Sequence, residues 1–323
     1  MLTQISDAHS SLYHYTSWEG LKGIVESNTL FATHAKFLND SSELYSAASL
    51  LIGLLKPSVQ KLVEEFSKVP EVNKAIKRDG SIEHHCDAIV QEIVSHFYKT
   101  TGTDFYICSF FGTPADPYTR KNGLLSQWRG YGKQQGFAIE FDTLKLEQHY
   151  HNESKSYDYI FTSFGDVVYG EDHPKFTEDF LPHFEALKIY VLNNLKKELG
   201  ELVDIDEYSG FVPFCYCISM LKHVGFREEQ EVRIAVSPLA DRDDFIKTLT
   251  RLTKKDFKPK PVYSRVRNSA PIPFVKLFDF KHDGLPIKRV IVGPSKDKVD
   301  VAFAARKLLG SKFPIEICDT PFI

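Results

Sequence analysis

The sequence predicts an α+β fold, and three observations lead to that class. Short strand-like stretches occur toward both ends of the chain, whereas residues 41–100 show the helical spacing of apolar residues. Hydrophobic residues make up 42% of the 323 residues and aromatic residues 13%, which is enough for a large core. The chain has no internal repeat and no low-complexity linker, so we expect a single domain, 1–323, with a helical insertion at about 41–100.

The first elements alternate between strand and helix. Residues 12–15 and 30–33 predict two strands. The helix between them is expected to begin near Thr16 and Glu19, which have the spacing of a capping box.

A long helical region follows. Asp40 and Glu43 repeat the capping spacing, and Pro57 is expected to end the helix that they begin. Helical spacing continues to about residue 98, and residues 104–111 then predict an apolar strand.

The second half of the chain returns mainly to strands. Strands are expected at residues 136–141, 229–236, 274–280, 288–292 and 313–318, with a strand pair at 157–169 and helices at 174–199, 211–223 and 299–309.

Charge is distributed unevenly along the chain. The net charge of −3 argues against a protein that coats nucleic acid by bulk electrostatics. Residues 247–267, however, carry eight Lys or Arg against one acid, so Lys254, Lys255 and Lys258 are candidates for phosphate contacts. Such a stretch is more often a solvated loop.

The five cysteines form no paired framework, and this usage is typical of a reducing cytoplasm. The N-terminus does not resemble a signal peptide, and no apolar stretch is long enough to cross a bilayer. We therefore expect a cytoplasmic protein with no membrane partner. No dinucleotide fingerprint, phosphate loop, nucleophile elbow or zinc motif is present, and we expect no metal. Glu140 and Asp142 are the basis of one minor alternative, a metal-dependent nuclease, although Asp142 more simply caps the next helix.

The sharpest pattern is Glu229-Gln230-Glu231-Val232-Arg233. On a strand, residues two apart point to the same face, so Glu229, Glu231 and Arg233 would lie together. Such a group either forms a charged site or is an ion pair on an exposed strand. A carboxylate facing a His and aromatic rings suits chemistry at the anomeric carbon of a nicotinamide nucleotide, where it stabilises the charge that develops on the ribose.

Two sequence features resemble a known superfamily. Tyr13-His14-Tyr15-Thr16-Ser17 followed by Leu30-Phe31-Ala32 resembles the first two motifs of the ADP-ribosyltransferases, and Glu229-Gln230-Glu231 is similar to the Glu-x-Glu motif of their arginine-modifying members.

Nearly the whole chain also resembles the bacterial family called domain of unknown function 2971. The landmarks occur in order: Leu12-Tyr13-His14-Tyr15-Thr16-Ser17, Phe37-Leu38-Asn39-Asp40, Cys108-Ser109-Phe110, Gln127-Trp128-Arg129-Gly130-Tyr131-Gly132, Gly136-Phe137-Ala138-Ile139-Glu140-Phe141, Val168-Tyr169, Glu229-Gln230-Glu231-Val232-Arg233-Ile234, Ile291-Val292-Gly293-Pro294 and Thr320-Pro321-Phe322.

These resemblances imply a split, mixed or antiparallel sheet with helical insertions, as in ADP-ribosyltransferases. They imply an NAD-dependent transferase that modifies a protein or nucleic-acid acceptor, with NAD as substrate, acting as a bacterial toxin or antiviral defence effector. The implied catalytic residues are Glu231, Glu229 and His14, and the implied NAD-binding residues are His14, Tyr15, Thr16, Phe31, Tyr45, Trp128 and Arg129. Two positions depart from the superfamily pattern: Tyr15 replaces a Gly whose backbone pairs with the nicotinamide amide, and Phe31 replaces a Tyr.

Other interpretations stay open. Water as the acceptor would make the protein an NAD glycohydrolase, and loss of catalysis would leave a nucleotide-binding or nucleic-acid-binding module. Individual residues also have structural alternatives. Glu231 could form an ion pair with Arg233, and His14 and Phe31 could be core residues. Trp128 could be a packing anchor.

Overall fold

The computed structural model describes most of the chain in two compact units. The described residues are 4–38, 43–100, 104–131, 135–173, 176–206, 209–239, 247, 250–251, 253–267, 269–280 and 283–321. The first unit comprises Met1–Phe37, Tyr106–Asp166 and Arg227–Ile323, and the second comprises Leu38–Phe105 and Val167–Phe226. The predicted helical insertion is therefore only part of the second unit, which also takes in a later segment of the chain.

The first unit is built on a mixed ten-stranded sheet, so the α+β class is confirmed. Its strands are β1 (Ser11–Thr16), β2 (Leu30–His34), β3 (Tyr106–Phe111), β4 (Phe137–Asp142), β5 (Tyr159–Asp166), β6 (Glu231–Pro238), β7 (Val262–Arg267), β8 (Ala270–Leu277), β9 (Ile287–Val292) and β10 (Ile315–Ile317). Only β9 and β10 pair in parallel; the other described pairs are antiparallel.

Strand β3 is the point where this sheet branches. One edge of β3 pairs along its whole length with β6, which continues to β5. The other edge is shared: β1 meets it at Phe111 and leads to β4, β9 and β10, whereas β2 meets it at Tyr106 and Ile107 and leads to β8 and β7. Between these contacts β1 and β2 diverge beside Ser109, and we call this gap the split.

One face of the sheet forms the main core. Leu12, Ile139, Val232 and Val290 lie on it, all with no exposed surface. The helices Trp18–Ser27 and Lys298–Leu309 cover this face with apolar side chains at helical spacing, among them Leu21, Ile24, Ala302 and Ala305.

The other helices of the first unit whose bounds lie in the described part of the chain include Ile5–Ala8, Pro117–Asn122, Leu125–Tyr131 and Thr143–Ser156. Two caps bear on the predictions. Ser17, not Thr16, caps the helix Trp18–Ser27 by accepting a hydrogen bond from the Gly20 amide, because β1 continues through Thr16. Asp142 caps the helix Thr143–Ser156 as predicted, accepting from the Lys145 amide.

The second unit is helical. Its helices are Glu43–Phe66, Pro70–Asp79, Ile82–Thr100, Leu181–Glu198 and Phe211–Met220. The first of these continues through Pro57, so the prediction that Pro57 ends it was wrong. Buried Leu51 and Leu55 before the proline and Val59 after it share the apolar face, and their burial outweighs the lost hydrogen bond. Asp40, the predicted cap, lies outside the described residues.

Two other strand predictions need correction. The predicted pair at 157–169 is the single strand β5. Strand β7 lies within the basic stretch 247–267, which was interpreted as either a solvated loop or a phosphate-contacting segment and not as a strand. Its side chains are mostly exposed, so the apolar pattern that marks a strand is missing.

Among the described residues, no helix combines the length and apolar character needed to cross a membrane. The five cysteines are free and buried.

Candidate functional site

His14 lies on β1 beside the split. Its ring Nδ1 is 2.9 Å from the carbonyl oxygen of Ser109, a group left without a strand partner where β1 and β2 diverge. Because a carbonyl only accepts, Nδ1 must carry the proton of the neutral ring, and Nε2 is then an acceptor. Burial lowers the pKa of His14, which favours this neutral form.

Glu231 is the first residue of β6 and forms a buried ion pair. The Arg233 side chain donates from Nε and Nη2 to Oε1 of Glu231, at 2.8 and 2.7 Å. The side chains of Glu231 and Arg233 are 5% and 1% exposed. This arrangement matches the structural alternative considered for the motif, but the pair is buried and not on an exposed strand.

The strand register places His14 and Glu231 on opposite faces of the sheet. Tyr13 pairs with Phe111, and Phe111 pairs with Glu231, so these three side chains share one face. His14 follows Tyr13 and therefore points to the other face, where its ring lies 5.8 Å from that of Phe110. A single molecule that contacts both His14 and Glu231 would have to pass through the split.

Glu229 is not on a strand, which corrects the prediction that it shares a face with Glu231. It ends the 3-10 turn Val224–Glu229, and β6 begins only at Glu231. Between them Gln230 has a φ of 39°, in the left-handed region, and its carbonyl accepts a hydrogen bond from the Gly112 amide. The alternation of side chains along an extended strand does not hold across such a residue.

A hollow of about 260 Å³ lies beside the start of β6. It is lined by residues of the loop after β3 and of the turn before β6: Phe111, Pro114, Ala115, Asp116, Thr119, Leu124, Glu228 and Gln230. Neither His14 nor Glu231 is among these residues. The hollow therefore does not join the two predicted catalytic groups.

Tyr15 and Trp128 are packed in an aromatic cluster on the face that carries Glu231. They are 6% and 4% exposed, and their ring centroids are 4.7 Å apart. The Trp128 indole donates to the Asn122 carbonyl, and the Tyr15 hydroxyl accepts from the Leu124 amide. A Cβ at Gly293 would lie 2.7 Å from the Trp128 indole, so the backbone is closely packed there. These contacts favour the packing-anchor interpretation of Trp128.

The remaining predicted NAD-binding residues belong to different elements of the chain. Thr16 ends β1 and packs against the first turn of the following helix. Phe31 is on β2, with its ring 5.0 Å from that of Phe274. Arg129 is exposed on the helix Leu125–Tyr131, and Tyr45, which is 67% exposed, belongs to the second unit.

The basic stretch is partly used in internal contacts. Lys255 forms an ion pair with Asp158 at 2.6 Å, and the Lys258 ammonium lies 4.5 Å from the centre of the Tyr157 ring. Lys254 is exposed. Of the three predicted phosphate contacts, Lys255 and Lys258 are thus held by neighbouring side chains of the protein.

Lys260, in the same stretch, is completely buried. Its ammonium contacts Glu153 at 2.5 Å and Asp279 at 2.8 Å. These two acids come from the helix Thr143–Ser156 and from the segment after β8, so the cluster ties the basic stretch to two other parts of the first unit.

The alternative function, a metal-dependent nuclease, would require a group of metal-binding side chains. Among the described residues, no set of three His, Cys, Asp or Glu side chains is arranged to hold an ion. Glu140 instead accepts hydrogen bonds from Ser11 and Arg289, and Asp142 is the helix cap described above.

Arg265 is a charged residue that the sequence reasoning did not single out. It lies on β7, with its guanidinium near the ring of Phe274 on the neighbouring strand β8 and near that of Phe31 on β2, the next strand beyond. The available signal was the period-two pattern of Tyr263, Arg265 and Arg267, which puts an aromatic ring and two cations on one face of a strand.

The chain was compared with protein families, curated proteins and solved structures. No curated protein and no solved structure matches the chain. Residues 127–234 match the model of a family described as "Protein of unknown function (DUF2971)", which supports the predicted relation to that family.

Proposed function

We propose that this chain is an NAD-dependent ADP-ribosyltransferase that modifies a macromolecular acceptor, either a protein or a nucleic acid. The observation that carries the proposal is the split, where the neutral His14 ring lies with Nδ1 held by Ser109 and Nε2 left as an acceptor. An acceptor nitrogen at a gap in a sheet is suited to a ribose hydroxyl. The sequence motifs add Glu231 as the catalytic carboxylate.

The proposed chemistry is displacement at the anomeric carbon of the nicotinamide ribose. The bond from that carbon to nicotinamide breaks, a bond to the acceptor nucleophile forms, and the acceptor loses a proton to water. Nicotinamide leaves as a neutral molecule, and Glu231 stabilises the positive charge that develops on the ribose. Glu231 acts in this way only if the bound nucleotide reaches it through the split, in competition with Arg233.

The proposed setting is the bacterial cytoplasm, with the protein acting as a toxin or defence effector. The resemblance to ADP-ribosyltransferases and the unpaired cysteines support this setting.

A second candidate function is a nucleotide-binding module without catalysis. Two observations favour it: Glu231 is buried in an ion pair with Arg233, and His14 points to the opposite face of the sheet. A carboxylate committed to a guanidinium is available to a substrate only at the cost of that pair.

The experiment is incubation of the protein with NAD labelled in its adenylate phosphate, together with fractionated bacterial lysate. We expect label on protein or nucleic acid with the wild type, a loss of at least about 100-fold in Glu231→Gln, and full activity in Glu26→Gln. Glu26 is an exposed carboxylate on the helix Trp18–Ser27, so the control removes the same charge elsewhere.

The outcomes separate the candidates. Label released only as free ADP-ribose identifies an NAD glycohydrolase. NAD binding without turnover in a folded wild type identifies the binding module. Turnover that survives in a folded Glu231→Gln variant, with near-ultraviolet circular dichroism as the folding check, overturns the assignment of Glu231.

A further inference from the structure

The strands β2, β8 and β7 present cations and aromatic rings on one face. Residues directly opposite one another across these strands share a face: Phe31 with Lys276, Thr33 with Phe274, and Phe274 with Tyr263. We call this surface the basic aromatic face; it consists of Phe31, Thr33, Tyr263, Arg265, Phe274 and Lys276.

Arg265 is the centre of this face. Its Nη2 donates to the Thr33 hydroxyl at 3.0 Å, and the guanidinium lies 5.7 and 5.6 Å from the ring centres of Phe31 and Phe274. These contacts fix the plane of the guanidinium but supply no negative charge. Its Nε–H is buried and has no hydrogen-bond partner among the described residues.

An unpartnered N–H on a half-buried cation is unusual in a protein. Buried donors are nearly always paired, and a charged group taken out of water needs a counter-charge or strong acceptors. Burial lowers the pKa of Arg265, and the nearby Arg267 adds to this effect. Both the free N–H and the missing counter-charge would be satisfied by an anion with several oxygen acceptors.

The surroundings select a phosphate that belongs to a nucleotide. Within the described part of the chain, Arg265, Arg267 and Lys276 form no ion pair, so the local charge is positive. Tyr263 is 37% exposed beside them, with the Lys276 ammonium 4.6 Å from its ring centre. A guanidinium that binds two phosphate oxygens, next to an exposed aromatic ring that can stack on a base, suits a nucleotide unit.

We propose that the basic aromatic face binds the phosphate group of a nucleotide, with Arg265 donating to the phosphate oxygens and Tyr263 stacking on the base. This site does not require Glu231 or any turnover, so it stands independently of the transferase activity. The same chemistry is present in a dinucleotide and in single-stranded RNA, and the test distinguishes these two sources.

The test measures binding of ADP to the full chain by titration calorimetry at low salt. We expect the wild type to bind, Arg265→Met to bind at least about tenfold more weakly, and Arg265→Lys to be intermediate because it keeps the charge without the planar fork. Lys312→Met is the matched control, since it removes an exposed positive charge that lies outside the basic aromatic face, and it should change the affinity by less than about twofold.

A fluorescent single-stranded RNA then identifies the source. RNA that binds at least about tenfold more tightly than ADP, and is displaced by ADP, indicates a polynucleotide site; comparable affinities indicate a dinucleotide or mononucleotide site. Each result supports the proposed site.

Two results overturn it. One is a folded wild type that binds none of ADP, inorganic pyrophosphate and RNA. The other is equal weakening by Arg265→Met and Lys312→Met. If Arg265→Met fails to fold, the comparison of Arg265→Lys with Lys312→Met decides. ADP binding is measured without turnover, so a wild type that binds ADP but does not consume NAD separates failure of the transferase from failure of this site.

Discussion

Two arginines on the same sheet are satisfied in different ways. Arg233 is 1% exposed and donates two hydrogen bonds to Glu231, whereas Arg265 has one hydroxyl partner, two flanking rings and no acid among the described residues. Burial of a charge therefore does not by itself mark a binding site. The distinguishing feature is whether the protein itself supplies the counter-charge.

The same contrast occurs within the basic stretch. Lys260 is buried between Glu153 and Asp279, whereas Lys254 is exposed. The composition of the stretch does not distinguish these two lysines, but only Lys260 takes part in buried ion pairs of the fold. Four measurements test whether these charges differ as the contacts indicate.

The largest effect is expected from Arg233→Met. This change leaves the Glu231 carboxylate buried beside an apolar side chain, and breaking a buried ion pair in this way costs about 3–5 kcal/mol. Urea denaturation measures the loss in the free energy of unfolding. The matched control is Arg129→Met on an exposed helical position, which should stay within about 0.5 kcal/mol of the wild type. A loss below about 1 kcal/mol in Arg233→Met would mean that the pair is not structural.

Lys260→Met is expected to cost about 3 kcal/mol, at the lower end of the range for a broken buried pair. The reason is that Glu153 keeps other donors, the Tyr159 hydroxyl and the Phe278 amide, after the ammonium is lost. Thermal and urea denaturation of Lys260→Met and Lys254→Met measure the difference. Equal stability of the two variants would contradict the distinction between a buried and an exposed lysine.

Arg265→Met should cost only about 1 kcal/mol without ligand, because it removes one hydrogen bond to Thr33 and relieves a buried N–H that has no partner among the described residues. Repeating the denaturation with saturating ADP should widen the gap between wild type and variant, since a ligand that binds only the folded state stabilises it. If ADP does not increase the difference in stability between the wild type and Arg265→Met, Arg265 is a purely structural charge, like Arg233.

The smallest effect concerns pH and the buried carboxylate of Glu140. Burial by itself raises the pKa of Glu140, but hydrogen bonds from Arg289 and Ser11 outweigh it and hold the pKa below its ordinary value of 4.5. Because the folded pKa is the lower one, this stabilisation is fully present above pH 4.5 and is lost as the pH falls through the folded value.

Urea denaturation between neutral and acidic pH tests this behaviour. Glu140→Gln should show a shallower decline in stability below pH 4.5 than the wild type, because it has no carboxylate to protonate. Glu228→Gln, at an exposed position, should decline as the wild type does. Identical slopes for Glu140→Gln and the wild type would show that another group controls the acid transition.

Much of the fold was predictable because its signals are local. The predicted strands at 12–15, 30–33, 136–141 and 288–292 agree with β1, β2, β4 and β9 within a few residues, since buried apolar residues with strand propensity mark them. Strand β7 was missed because its exposed side chains carry no such pattern.

The candidate site was less predictable for a different reason. The Glu229-Gln230-Glu231 motif has the spacing of a strand, but Gln230 adopts a left-handed conformation, and this choice depends on the contact of its carbonyl with Gly112. Similarly, aromatic residues such as Tyr15 and Trp128 are of the type that stacks on a ligand, and the sequence does not show whether they are accessible. In the structure the two rings pack against one another and Trp128 packs against the Gly293 backbone, so both are buried.

The α+β class, most of the helices and strands, and the match over 127–234 to the DUF2971 family follow from the amino-acid sequence. Which charges are neutralised, and which face of the sheet each side chain joins, depends on how the chain folds in three dimensions. Secondary structure follows from neighbouring residues, whereas the partner of a charge depends on the register between strands that are far apart in the chain. Arg233 and Arg265 look alike in the sequence, and the presence of Glu231 beside one of them makes it structural.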